Sequence, residues 1–196
     1  MIPVGNAYTV PFKESCPEAL LQHVWMNEGA YWSTAQSCYQ PVCMPQDDDQ
    51  GMFYLEPFLA KENNLLLSGK ILIPESDKVG LSFYYCGTTD DLFDLAPTVR
   101  IPSGETYYLT EPIHTNSVGT GWQRVFVSLA QFKGKVVQVG VNVNARSQQD
   151  YFLLDNIEVR EFLGHDVAVA GLTTPATMTV GVDNKVTATI TNMGTH

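Results

Sequence analysis

Between Asn64 and Val159, apolar side chains return at every second residue through one segment after another. The clearest stretch runs from Lys135 to Asn144, where Val137, Val139, Val141 and Val143 alternate with Gln138, Asn142 and Asn144. Successive side chains of an extended strand point to opposite faces, so this spacing buries one face and wets the other. Leu81, Phe83 and Tyr85 share a face in the same way, as do Val125, Val127 and Leu129. Leu65 to Ile73 is a longer apolar run ended by Pro74, and Tyr151 to Val159 supplies a further strand. Turn residues punctuate these runs at Pro74-Glu75-Ser76-Asp77, Gly87-Thr88-Thr89-Asp90, Gly119-Thr120-Gly121 and Lys133-Gly134. Short alternating strands with such punctuation predict an all-β sandwich.

One helix is expected, over Ser15 to Trp25. Ser15 suits a cap, Pro17 the first turn and Glu18 the positive end of the helix dipole, while Leu20, Leu21 and Val24 form an apolar stripe. The composition changes near Gly164-His165. Strands are expected from Asp166 to Ala170, from Met178 to Val182 and from Lys185 to Thr191, in a tail rich in Thr, Val and Ala. Too few strands are present there to close a sandwich, which takes about 100 residues in an immunoglobulin-like unit. The expected division is therefore one domain over 1–163 and the start of a second over 164–196.

Eleven basic against 21 acidic residues give a net charge of -10, a field that repels phosphates and anionic lipid. Nucleic acid and membrane surfaces are thus poor partners. No apolar run approaches the roughly 20 residues of a membrane helix. Residues 1–11 lack the basic and apolar segments of a signal peptide, so an exported form would carry its signal elsewhere or have lost it. The four cysteines, Cys16, Cys38, Cys43 and Cys86, show no Cys-x-x-Cys spacing. Cys38 and Cys43 bracket a short turn that suits a local disulfide, while buried thiols packing as small apolar groups are the alternative.

With the strands placed, the order of motifs resembles the cleaved-adhesin, or MAM-like jelly-roll, domains of secreted and surface proteins of Bacteroidetes. Tyr8-Thr9-Val10-Pro11-Phe12 is similar to the family's opening strand. Asn64 to Pro74 and Val79 to Tyr85 resemble its next two strands. Trp122 to Leu129 followed by Phe132 to Val137 resembles its stretch from a Trp to a Gly-Lys turn, and Phe152 to Val159 its closing strand. The tail from Asp166 resembles the opening of bacterial Ig-like domains. Cys16 to Asp49 is longer and richer in Cys than the family pattern. The resemblance implies a β jelly roll carried as an accessory region of a larger exported protein. It further implies adhesion to an extracellular protein or glycan, and a structural calcium ion.

Asp155 is the first candidate ligand. A regular strand would set it on the face of Leu153, Ile157 and Val159, and a carboxylate facing a core must be paired, hydrogen-bonded or metal-bound. Hard oxygen donors in an acidic chain suit calcium. The resemblance, which sets the closing strand near the opening strand, implies Glu14 as a second ligand, with Asn156 and backbone carbonyls completing the shell; backbone N–H bonds at a β-bulge, or a side chain turned into solvent, are the alternatives. The acidic turn Asp47-Asp48-Asp49 lacks an EF-hand spacing and reads as solvated, as does Asp90-Asp91 with Asp94. Asn142, Asn144 and Gln138, with Arg146 beyond, line one strand face, where amides beside an aromatic such as Tyr84 would read sugar hydroxyls; a plain solvated face has the same pattern. Trp25, Trp32 and Trp122 read as packing residues. No His-Glu-x-x-His, Gly-x-Ser-x-Gly or phosphate-loop motif is present, and His23, His114, His165 and His196 are scattered. The expected function is a non-catalytic binding module. A carbohydrate-binding module and a jelly-roll glycosidase or lyase with paired carboxylates are the alternatives.

Overall fold

The computed structural model describes residues 7–29, 32–39, 42–46, 51–55, 63–87, 93–114, 121–145, 151–162, 167–173 and 187–192. The chain divides into two compact units, Met1–Glu161 and Phe162–His196. The first begins with β1 (Tyr8–Thr9), β2 (Phe12–Glu14), β3 (Trp25–Glu28), β4 (Trp32–Ala35), β5 (Cys38–Tyr39), β6 (Val42–Cys43) and β7 (Met52–Leu55). It continues through β8 (Asn64–Ser68), β9 (Ile71–Leu72), β10 (Val79–Gly87), β11 (Phe93–Arg100), β12 (Thr106–Tyr108) and β13 (Ile113–His114). β14 (Gln123–Ser128), β15 (Val136–Ala145) and β16 (Phe152–Glu161) complete it. In the second unit β17 (Val167–Thr173) pairs antiparallel with β18 (Thr187–Asn192), with an irregularity between Val169 and Gly171. The strand expected over Met178 to Val182 lies outside the described residues.

Two sheets form a sandwich. The larger has eight strands in the order β1-β9-β15-β11-β12, with β8 also on β15, β3 on β8 and β13 on β11. The smaller has six, β14-β10-β16-β7-β4, with β2 on β16. The alternating residues of the sequence close the seam between them. Leu81, Phe83, Val137, Val139, Val141, Val143, Phe152 and Leu154 are all at most 1% exposed and belong to one cluster. Each such side chain contributes about 1.5–3 kcal/mol by leaving water. β5 and β6 form a separate hairpin in which Cys38 and Cys43 are register partners; their side chains lie outside the described set.

The run from Leu65 to Ile73 breaks into β8 and β9 at Gly69. The Gly69 N–H donates to the Val24 carbonyl at 2.6 Å, and a Cβ there would meet the Tyr8 ring at 2.8 Å. β11 alternates Phe93, Leu95 and Val99 on the core face with Asp94, Ala96, Thr98 and Arg100 on the outer face, and has Pro97 in its middle. Proline fits because the Pro97 carbonyl, accepting the Leu109 N–H at 2.9 Å, faces the β12 edge. The ring nitrogen, which has no hydrogen to donate, faces the same edge. There the chain leaves the sheet between β12, paired at Thr98, and β13, paired at Leu95. A proline thus sits without cost where the ladder is interrupted, and the interruption opens a wall of the cavity described below.

The segment from Ser15 to Trp25 is not a helix. It holds one 3-10 turn, Pro17–Ala19, in which Glu18 has φ 52°. Leu20, Leu21 and Val24, the expected buried stripe, are 66%, 48% and 61% exposed. The cause is Glu14, wholly buried on β2. Its carboxylate accepts the backbone N–H groups of Cys16, Gln22 and His23 and the Trp25 indole N–H, all within 3.0–3.2 Å. A helix would have sent the Gln22 and His23 N–H groups to carbonyls four residues back. A buried carboxylate outbids those carbonyls because charge-assisted bonds are roughly twice as strong.

Candidate functional site

A concavity of about 600 Å³ opens on the outer face of the larger sheet. Its floor is built by register. β15 presents Asn142 and Asn144 away from the core, because its valines occupy the inner face. β11 lies beside it antiparallel, so Ala96 is opposite Asn142 and Asp94 opposite Asn144. Asn63, just before β8, reaches in from the other flank and accepts the Asn142 Nδ2 hydrogen bond on Oδ1 at 3.1 Å. The wall is the segment that leaves the sheet after β12, from Tyr108 to Pro112, and it supplies Tyr108, 58% exposed, and Glu111. Ala96 is small, so the floor between the amides and the wall stays open.

Asp94 pairs with His114, its cross-strand partner on β13. On the same outer face, Arg100 reaches across β15 and β8 to grip Glu28 of β3 with both guanidinium nitrogens, one at 2.8 Å. The Arg100 hydrogen bond holds the Glu28 carboxyl below the usual range, and Glu28 raises Arg100 in turn. Arg100 is therefore committed to this bridge, and among the described residues the charged ones lining the cavity are Asp94 and Glu111.

Of the four residues expected to read a ligand, Asn142 and Asn144 line the cavity. Gln138 shares their face but lies outside it, donating to the Ser68 carbonyl at 2.8 Å. Arg146 lies outside the described residues. Tyr84 is not the neighbouring aromatic: it belongs to β10 of the other sheet, with the Arg124 guanidinium 5.7 Å from its ring. Tyr108 takes that place. Asp94, expected as part of a solvated acidic loop, is a strand residue in the cavity; Asp90, Asp91 and the turn Asp47-Asp48-Asp49 lie outside the described residues. Sequence reading also missed Asn63, Glu111 and the His114 pairing, because only strand pairing brings them together.

The three residues expected to share calcium do not fit one centre. A β-bulge sets Phe83 of β10 opposite both Asn156 and Ile157, and Asn156 takes φ 49°. The extra residue flips the alternation. Phe152, Leu154, Ile157 and Val159 all enter the main core, while Leu153 joins a small separate cluster with Met52. Asp155 follows Leu153 to the outer face, buried beneath Gln46, and its two oxygens accept the Gln46 and Asn156 N–H groups at 2.8 and 2.7 Å. Glu14, the register partner of Ile157, faces inward and is surrounded by N–H donors. The two carboxylates thus lie on opposite faces of one sheet. Any rise in melting temperature that calcium gives over chelator is therefore expected to persist in Asp155→Ala, since an ion that binds only the folded form raises the midpoint wherever it sits. A rise of several degrees that Asp155→Ala abolishes would return calcium to the closing strand.

No family model matches the sequence, and no curated protein matches it. Among solved structures, the chain is similar to the K1 cleaved adhesin domain of Lys-gingipain from Porphyromonas gingivalis W83. Identity there is 16% and the TM-score 0.55, over 78% of this chain and 98% of that one. It is also similar to the CBM22-1 xylan-binding domain of Xyn10C from Paenibacillus barcinonensis, at 13% identity and a TM-score of 0.53, over 79% of this chain and 96% of that one. The K2 cleaved adhesin domain of Lys-gingipain matches at 13% identity and 0.54, over 76% and 97%. Identities this low establish the fold: a jelly-roll sandwich shared with adhesin and carbohydrate-binding domains. Among the described residues no helix is long and apolar enough to cross a membrane.

Proposed function

We propose that the first unit is a non-catalytic module that holds an extracellular glycan in the concavity over β11 and β15, within a larger exported protein. The observation that carries this is the cavity itself: about 600 Å³, open to solvent, with three asparagine amides and one exposed tyrosine around a small-residue floor. Amides offer a donor and an acceptor on one planar group, which suits vicinal hydroxyls, and an exposed ring offers an apolar face for the C–H side of a sugar. Pockets with a few placed polar groups are the usual form of a small-ligand site. The likeness to adhesin and xylan-binding domains supports the same reading, as does the net charge of -10, which disfavours nucleic acid. The second unit, with its β17–β18 hairpin, reads as the start of an Ig-like domain that would space the module from its neighbours.

Calorimetric titration with a panel of oligosaccharides tests the proposal. At least one should bind with a Kd between about 1 μM and 1 mM, and Tyr108→Ala should weaken it about tenfold, equivalent to ~1.4 kcal/mol. The bound oligosaccharide should be recovered with no new reducing ends. Silence across the panel would remove the glycan reading, and cleavage would replace it with a glycosidase.

A further inference from the structure

We infer that the Arg100–Glu28 bridge is an end wall of the glycan cavity and limits the length of chain it accepts; this rests on the binding reading above and narrows its ligand to a short oligosaccharide. Outward residues of β11 and β15 stand opposite one another along the strands: Asp94 with Asn144, Ala96 with Asn142, Thr98 with Gly140 and Arg100 with Gln138. The first two pairs line the cavity. The last lines a second hollow, of about 80 Å³, with Lys70, Pro102, Gly104 and Val136. Thr98 and Gly140 line neither hollow, and both are buried on the outer face. One face thus carries two concavities parted by a single closed row.

The bridge runs over that row. Glu28 is the register partner of Leu65, which pairs with Asn142, whereas Arg100 pairs with Gln138. The link between them therefore crosses β15 and β8 diagonally, above Gly140 and its partner Leu67. Leu67 is wholly buried although it stands outside the main core cluster. Gln138 backs the bridge, with its amide nitrogen 3.3 Å from Met26 Sδ on β3. Arg100 is pinned at all three guanidinium nitrogens: two on Glu28, and Nε donating to Thr106 Oγ1 at 3.0 Å. Such a bidentate, charge-assisted pair makes a stiff ridge. From Asn144 to Gly140 the floor runs about 13 Å at the rise of a strand, room for about two or three pyranose rings end to end. A chain laid along the strands abuts the ridge, and the hollow beyond stays out of its reach.

Calorimetry with length series of one to six units tests this, using β-1,4-linked oligomers of glucose, xylose and mannose and the same lengths of any panel sugar that binds. The hexamer should be no more than about threefold tighter than the trimer. Arg100→Ala should raise that ratio at least about fivefold, by joining the two hollows. Glu28→Ala, a half-exposed position outside the cavity, should raise it too by releasing the guanidinium towards Thr106, and it serves should Arg100→Ala fail to fold. In ¹⁵N spectra the hexamer should move the backbone signals of Gly104 and Val136 in the variants and leave them still in the wild type. A wild-type ratio above the threefold limit, or a ratio unchanged in a folded variant, would overturn the end wall while leaving a glycan-binding module. Silence from every series and from the panel would overturn both.

Discussion

Glu14→Ala is expected to destabilise the first unit by about 3–5 kcal/mol, the usual cost of removing one partner from a buried charged network. The change strands the N–H groups of Cys16, Gln22 and His23 and the Trp25 indole, all of which end on this carboxylate. Each buried donor left unmade costs roughly 1–3 kcal/mol, less where water can enter. For a unit of this size each kcal/mol lowers the melting temperature by about 2–4 °C, so the midpoint should fall by about 6–20 °C. Glu14→Gln should be nearly as damaging, because its amide nitrogen would turn N–H against N–H. Differential scanning calorimetry of the two variants decides the matter. A loss below about 1 kcal/mol would mean that water replaces the carboxylate and that the loop does not depend on it.

Gly140→Ala is the second large effect. Gly140 lies on the outer face of β15, two residues before Asn142, and is the register partner of Leu67 on β8. A Cβ at this position would sit 1.8 Å from the Leu66 carbonyl oxygen and 2.9 Å from its carbon. Both are backbone atoms held in the sheet, so β8 must move away from β15. Overpacking of that kind costs about 1–3 kcal/mol where side chains can shift, and the upper end is expected here because only backbone can. The same displacement carries Asn63 away from Asn142, so the variant should lose glycan affinity as well as stability. Paired melts and titrations check this. A stable Gly140→Ala with full affinity would show that β8 and β15 tolerate a wider spacing than the sheet now has.

The two strands of the cavity floor differed sharply in how legible they were. β15 could be read residue by residue, because four valines at period two face a core and the amides between them must face away. β11 could not. Its Phe93, Leu95 and Val99 do repeat at period two, but Pro97 interrupts the repeat and argues against a strand unless the interrupted edge is already known, and the outward Ala96 is apolar. The amides of the site were therefore visible and their partners were not: Asp94 meets Asn144, and Tyr108 meets Thr98, only through pairing. Gln138 failed for the converse reason. It shares the face, yet its own hydrogen bond ties it to Ser68, outside the cavity.

The misread helix and the misplaced carboxylate have related causes. Caps and an apolar stripe over Ser15 to Trp25 describe local preference, and a buried group just before the segment overrode them. Asp155 obeyed the alternation up to Leu153, and then a single bulge residue reversed the faces for the rest of the strand. A one-residue slip exchanges every side chain between core and surface. Nothing in Asp155-Asn156-Ile157 announces the slip except an asparagine, a residue that tolerates the left-handed backbone found there.

A ligand held on the outer face over β11 and β15 must perturb the residues of that face and spare the opposite sheet. The most direct measurement is an NMR titration of ¹⁵N-labelled protein with the tightest oligosaccharide of the panel. The side-chain amide signals of Asn63, Asn142 and Asn144 should move together and saturate at one concentration, while signals around Tyr84 and Arg124 on the opposite sheet stay still. Movement confined to that opposite sheet, or to the exposed Leu20–Val24 loop, would contradict it.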